Sequence, residues 1–146
     1  GASKPAKWSL DKRKGVEKAY CCFNSTARDF AKIGNLVLHQ GEVRKKQIVP
    51  ASYIAKMTSP ASYLTNKDAE MVNYYGFNWW IMHHNNLQIP YARGIFGQYI
   101  YVIPEYEAVI VRLGHKRSHT YRDHHPEDAY TWVKAGLQII RENKNQ

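Results

Sequence analysis

The sequence lacks a long apolar run, a cysteine framework and any internal repeat, and each absence removes a class of protein. A membrane-spanning helix needs about 20 consecutive apolar residues, whereas the apolar stretches here are strand-length pieces broken by polar residues. We expect no membrane insertion. The first residues, Gly1-Ala2-Ser3-Lys4-Pro5-Ala6-Lys7, lack the apolar core of a signal peptide and read as a linker or cloning remnant. Cys21 and Cys22 are the only cysteines and are adjacent. Neighbouring cysteines rarely reach disulfide geometry with each other, and no further ligands are spaced near them for a metal, so the pair reads as two small buried apolar side chains.

Acidic residues are also in deficit. Twelve Asp and Glu face 21 Lys and Arg, a formal charge of +9, which raises the question of nucleic acid, since clustered cations release counterions from phosphate. The charge sits in Lys12-Arg13-Lys14, Arg44-Lys45-Lys46, His115-Lys116-Arg117 and the C-terminal tail, all at turns or element ends. Scattered basic turns read as solvated loops, so no specific nucleic-acid partner is expected. A non-catalytic basic interaction module remains the alternative function, and retention on heparin or DNA at about 0.5 M salt would favour it.

What is present is one domain's length of chain, 146 residues, 44% hydrophobic. Phe30, Ile33 and Val37 recur at helical spacing, so residues 25–38 read as a helix capped by Ser25 or Thr26, with Asp29 in its first turn and Gly41 beyond its end. Pro50 suits the first position of a shorter helix from Ala51 to about Met57, stopped by Pro60. Residues 60–73 have loop composition. Three strands follow, 75–82, 98–103 and 108–113, rich in aromatic and β-branched residues, the last two joined by a hairpin turn at Pro104-Glu105-Tyr106-Glu107. A final helix opens at Pro126-Glu127-Asp128 with Ala129, Val133, Leu137 and Ile140 as its apolar stripe. The expected fold class is α+β: a three-stranded antiparallel sheet covered by a C-terminal helix and preceded by a small helical segment. Residues 8–73 form the helical part and 74–146 the sheet with its helix.

Several segments, in order, resemble the class C beta-lactamase-like and penicillin-binding-protein-like serine hydrolases. They are Trp8-Ser9-Leu10-Asp11, the stretch 25–34, Gly41-Glu42 with Gln47-Ile48-Val49-Pro50, Tyr75-Gly76-Phe77-Asn78-Trp79-Trp80, and 91–98 running on to Val102-Ile103-Pro104-Glu105. The resemblance covers most of the chain and is similar to that family's C-terminal half, so residues 8–146 are expected to be a single C-terminal fragment of a beta-lactamase/transpeptidase-like domain. In the family a Ser-x-x-Lys serine attacks a carbonyl, with the lysine and a Tyr-x-Asn tyrosine handling its proton. A third motif on a strand edge binds substrate, and the residue after it offers a backbone N–H to the oxyanion hole. The resemblance places this third motif at Ala92-Arg93-Gly94 and the oxyanion amide at Ile95. Ala92 replaces the family's basic residue and Arg93 its hydroxyl residue, while Gly94 is kept.

The nucleophile's own motifs are missing. No Tyr-x-Asn occurs, and Ser9-Leu10-Asp11-Lys12 is the only serine with lysine three residues on. It lies in a charged segment with no apolar helical stripe, so we read it as accidental. Lys134-Ala135-Gly136 matches a variant third motif only in letters, inside the predicted last helix. The resemblance implies a parent that hydrolyses an ester, an amide or a peptidoglycan-type peptide through an acyl-enzyme, in a bacterial periplasm or cell envelope, with the chain inactive alone. It implies as partners the parent domain's missing N-terminal part and, through an exposed sheet edge, a second copy of the chain.

His115, His119, His124 and His125 lack metal-ligand spacing and read as part of a flexible loop. No metal and no cofactor is expected. By strand alternation Phe77 and Trp79 share one sheet face and Trp80 takes the other, which makes Trp80 a candidate substrate contact; the remaining aromatics read as core.

Overall fold

A computed structural model describes residues 2–144. A short ladder pairs β1 (Lys7–Trp8) with β2 (Phe23–Asn24), and the first helix, α1, runs Ala27–Leu38. Thr26 caps it, its hydroxyl accepting from the Asp29 amide, and Gly41 beyond the end takes a left-handed φ of +85°. A small hairpin of β3 (Glu42–Val43) and β4 (Lys46–Gln47) leads to α2 (Ala51–Met57). Pro50 is the N-cap of α2 and lies one position outside the expected first helical turn.

The sheet is a four-stranded antiparallel meander of β5 (Trp80–His84), β6 (Leu87–Arg93), β7 (Tyr99–Ile103) and β8 (Ala108–Arg112). The expectation of three strands is therefore corrected to four. Asn85 and Asn86, φ +49° and +61°, make the two-residue turn between β5 and β6; asparagine tolerates the left-handed region that such tight hairpins need. Pro90 sits inside β6, and the ladder to β7 begins only at Tyr91, so the missing N–H forfeits no bond to β7. The segment expected to be a strand from Tyr75 starts as one only at Trp80. Before it the chain turns, with Asn78 at φ +60° and Gly76 donating to the Trp79 carbonyl.

Beyond the hairpin turn at Pro104–Tyr106, closed by Glu107 in the left-handed region, the chain runs through β8 to a two-residue ladder of β9 (Tyr121–Arg122) and β10 (His125–Pro126), and then into α3 (Glu127–Lys144). The α+β order with a C-terminal helix on an antiparallel sheet stands. Both faces of that sheet are covered. Met82, Ile89, Tyr91, Tyr99, Tyr101 and Ile103 pack against Ala129, Tyr130, Val133 and Leu137 of α3, while Trp79 and Val102 on the other face meet Val37 of α1 with Ile54 and Met57 of α2. The buried tyrosines would be costly if their hydroxyls were unpaired. Tyr101 donates to the Ala129 carbonyl at 3.1 Å and Tyr99 to Asp128 at 3.2 Å.

Two expectations about single residues are overturned. Ile33 lies on the exposed side of α1, and the position that meets the sheet is Gly34, which is against Ile100 and Val109. Cys21 and Cys22 are joined by a disulfide and Cys22 is exposed, so they are not two buried free thiols. Near the start, Ser3 donates through both its amide and hydroxyl to Asp29, at 2.7 and 2.9 Å. With Lys32, 2.8 Å away, as the larger influence, these bonds hold the Asp29 carboxyl far below the usual range.

Gly34 on α1 and Gly136 on α3 lie close against β8, facing Val109 on one side and Ile110 on the other. A methyl at either site overlaps a branched side chain of the sheet. Alanine normally stabilises a helix by about 1 kcal/mol over glycine; here Gly34→Ala or Gly136→Ala is expected to destabilise by about 1–3 kcal/mol, the cost of overpacking. Urea unfolding of each variant measures it.

Candidate functional site: the β6–β7 turn

The residues expected to form the third motif lie where β6 ends and the chain turns into β7. Ala92 pairs with Ile100 and faces the α1–α2 side, half-buried against that core. Arg93, one residue on, faces the other side. Its guanidinium carbon stands 3.2 Å from the centroid of the Trp80 ring, and one of its nitrogens donates to the His124 carbonyl at 3.2 Å. A guanidinium stacked on an indole is held by the ring's negative face, so Arg93 links β6 to β5 and to the segment before α3. Trp80 is half-buried beneath it on the α3 side, and Trp79 and Phe77 pack on the other side, although those two lie in the bend before β5 and not in a strand.

The turn itself, Gly94-Ile95-Phe96-Gly97, is tightly bonded. The Gly94 amide donates to the Gln98 carbonyl at 2.8 Å, the Gly97 amide to the Gly94 carbonyl at 3.3 Å, and the Phe96 amide to Gln98 Oε1 at 3.0 Å. Ile95 alone of the four makes no N–H bond among the described residues, and its residue is 70% exposed. A main-chain donor left open at the tip of a fixed turn is what an oxyanion-binding group requires.

Beside Trp80 and Arg93 lies a polar and aromatic cluster that sequence reasoning missed. Tyr91 and His125 share a 2.7 Å hydrogen bond between the hydroxyl and Nδ1, and His125 is buried, edge-on to Trp80 and Tyr130. His124 stacks on Tyr74 with ring centroids 3.8 Å apart. The reading of these histidines as flexible loop is thus corrected for His125, which belongs to β10 and to the core. Burial pushes the His125 imidazole down to about 4, with the Arg93 charge acting in the same direction, and burial raises the Tyr91 hydroxyl above its ordinary range. The pair is neutral at physiological pH.

Ser9 and Lys12 lie in an exposed hairpin-like excursion, with Leu10 bridged to Glu17, and not on a helix. Lys134-Ala135-Gly136 lies within α3. No helix among the described residues is long and apolar enough to cross a membrane.

No protein-family model and no curated protein matches the chain. Among solved structures it is similar to the "Putative 6-aminohexanoate-dimer hydrolase from Bacillus anthracis", with a TM-score of 0.70 and 25% identity over 96% of this chain. The fold and this likeness support the general class of beta-lactamase-like serine hydrolases. The chain spans 34% of the length of that protein.

The His125 environment carries a pH dependence with a definite sign. Its folded value, about 4, lies below the ordinary 6.5, so as pH falls the unfolded chain takes up the proton first. The stabilisation is present above 6.5 and is lost toward 4. Between pH 7 and pH 5 we expect a loss of roughly 2 kcal/mol from this group. Asp29 stays ionised throughout that window, and His84 is shifted in the same direction by burial and by Arg122, so the test is a difference: urea unfolding of His125→Gln should show a flatter pH profile than the unmodified chain.

Proposed function

We propose that the chain supplies one wall of an acyl-transfer site in a beta-lactamase-like serine hydrolase. The Ile95 amide serves as one oxyanion-hole donor, and Ala92, Arg93 and Gly94 form the substrate-binding edge, with Trp80 behind Arg93. The serine, lysine and tyrosine that carry out the chemistry are supplied by a polypeptide segment outside these 146 residues. The reading rests on one observation: the turn bonds every amide except that of Ile95. The substrate is an ester, an amide or a peptidoglycan-type peptide attacked at its carbonyl. The tetrahedral oxyanion gains from a preorganised N–H more than the ground-state carbonyl does, and this difference lowers the barrier.

The triplet narrows how substrate is held. Ala92 brings no charge, and Arg93 is engaged with Trp80 and the His124 carbonyl. Recognition at this edge therefore runs through the main-chain N–H of Ile95, beside the exposed side chains of Ile95 and Phe96.

Two measurements test the reading. The isolated chain should not turn over nitrocefin or p-nitrophenyl esters, since removing a serine nucleophile and its partners costs on the order of a millionfold; turnover abolished by Ser9→Ala would overturn this. A chimera in which the chain replaces the matched third of the Bacillus anthracis protein should hydrolyse p-nitrophenyl esters. In it Ile95→Pro, which deletes the N–H, should lower kcat by roughly 10²–10³-fold while Ile95→Val stays near the parent. Equal rates for the proline and valine variants would count against the oxyanion role.

A further inference from the structure

The turn that carries the open amide of Ile95 is bonded by groups that lie outside the third motif and that the proposed function does not assign. Gln98, the first residue after the turn, uses both ends of its amide. Its Oε1 accepts from the Phe96 N–H at 3.0 Å and its Nε2 donates to the Gly114 carbonyl at 3.0 Å. Arg112, at the end of β8, donates to the Gly97 carbonyl at 2.6 Å and to the Lys116 carbonyl at 3.1 Å. Its guanidinium lies 3.6 Å from Asp128 and 4.9 Å from the centroid of Trp132, both in α3. Asp128 in turn accepts from the Ser118 amide at 2.8 Å and from the Tyr99 hydroxyl. Gly97 and Gly114 both lie against the Arg112 guanidinium, where a Cβ would overlap it.

These contacts make a frame with two supports. Gln98 ties the turn to the segment after β8, and Arg112 ties both to the first turns of α3. Both side chains bind main-chain atoms of the turn, at Phe96 and Gly97, the two residues that follow Ile95. We propose that Gln98 and Arg112 are positioning residues that fix the direction of the Ile95 amide. The catalytic meaning of that direction rests on the oxyanion reading above; the mechanical claim does not. Gln98 takes up the neighbouring Phe96 amide and so leaves Ile95 as the donor available to a ligand. Arg112 fixes the carbonyl of Gly97, which keeps the closing residue of the turn from rotating.

The experiment follows backbone amides of the isolated ¹⁵N-labelled chain by hydrogen exchange and heteronuclear NOE. In Gln98→Ala the Phe96 amide should exchange about tenfold faster, the equivalent of one lost hydrogen bond. The NOE at Ile95 should fall while the β7 amides of Tyr101 and Val102 keep their rates. Gln98→Glu discriminates further: its carboxylate still accepts from Phe96 but cannot donate to Gly114, so the Phe96 rate should recover while residues 113–117 stay loosened. Arg112→Lys keeps the charge near Asp128 and loses the fork, and the Gly97 NOE should fall. Uniform acceleration of all amides would make both residues general stabilisers of the fold and overturn the proposal, as would an Ile95 NOE unchanged in Gln98→Ala. Failure here leaves the chimera assay intact as a test of the oxyanion role, and an inactive chimera leaves the frame intact as a fact about the turn.

Discussion

Strand β7 is buried on both faces, and the arrangement of the other elements follows from it. Its five residues alternate between two cores, Tyr99, Tyr101 and Ile103 toward α3 and Ile100 and Val102 toward α1 and α2. A strand without a solvent face specifies its register strongly, because a slip of one residue would exchange its two sets of side chains. The tyrosine side adds a directional constraint. Each hydroxyl needs a partner, and those partners, Asp128 and the Ala129 carbonyl, are in the first turn of α3. The helix is thereby fixed along its axis as well as in its packing face. The turns at the two ends of β7 inherit that order, and the candidate site is one of them.

The helices were legible in the sequence because their signals are local. Threonine at the cap, proline before α2, acids at the start of α3 and apolar residues at helical spacing all act within a turn or two. The hairpin of β7 and β8 was legible for the same reason. Strand β6 contains Pro90 and follows Asn85-Asn86, residue types that ordinarily mark the connection between elements; the asparagines are the turn of a hairpin. Tyr75 to Trp79 misled in the other direction, since aromatic residues favour strands yet here fill a bend that carries Trp79 into the core. Ile33 and Gly34 show the limit of periodicity: the apolar residue is exposed, and the neighbouring position that meets Val109 has room only for glycine.

The site was partly legible. Gly94 and Ile95 were candidates from resemblance alone, and they lie in a turn where Ile95 is exposed. The partners of Arg93, however, lie 13 and 31 residues away along the chain, at Trp80 and His124, and Gln98 and Arg112 reach carbonyls 16 and 15 residues distant. No spacing rule reports contacts of that span. The pairing of His125 with Tyr91 was hidden likewise, because a histidine in a basic, polar stretch gives no sign of burial. The adjacent cysteines were misjudged on a general geometric preference that this bend does not follow, with Cys22 at a φ of +72°.

The contacts that set the β6–β7 turn end on carbonyl and amide groups, which every amino acid provides. The side chains at 95 and 96 project into solvent and take no part in them. Mutational latitude is therefore distributed unevenly: positions 95 and 96 can drift through many residue types while the peptide plane between 94 and 95 keeps its orientation, whereas positions 97, 98, 112 and 114 cannot. A lineage in which binding had passed from side chains to main chain could lose the motif's spelling and keep its shape, and would be recognised by superposition more readily than by alignment.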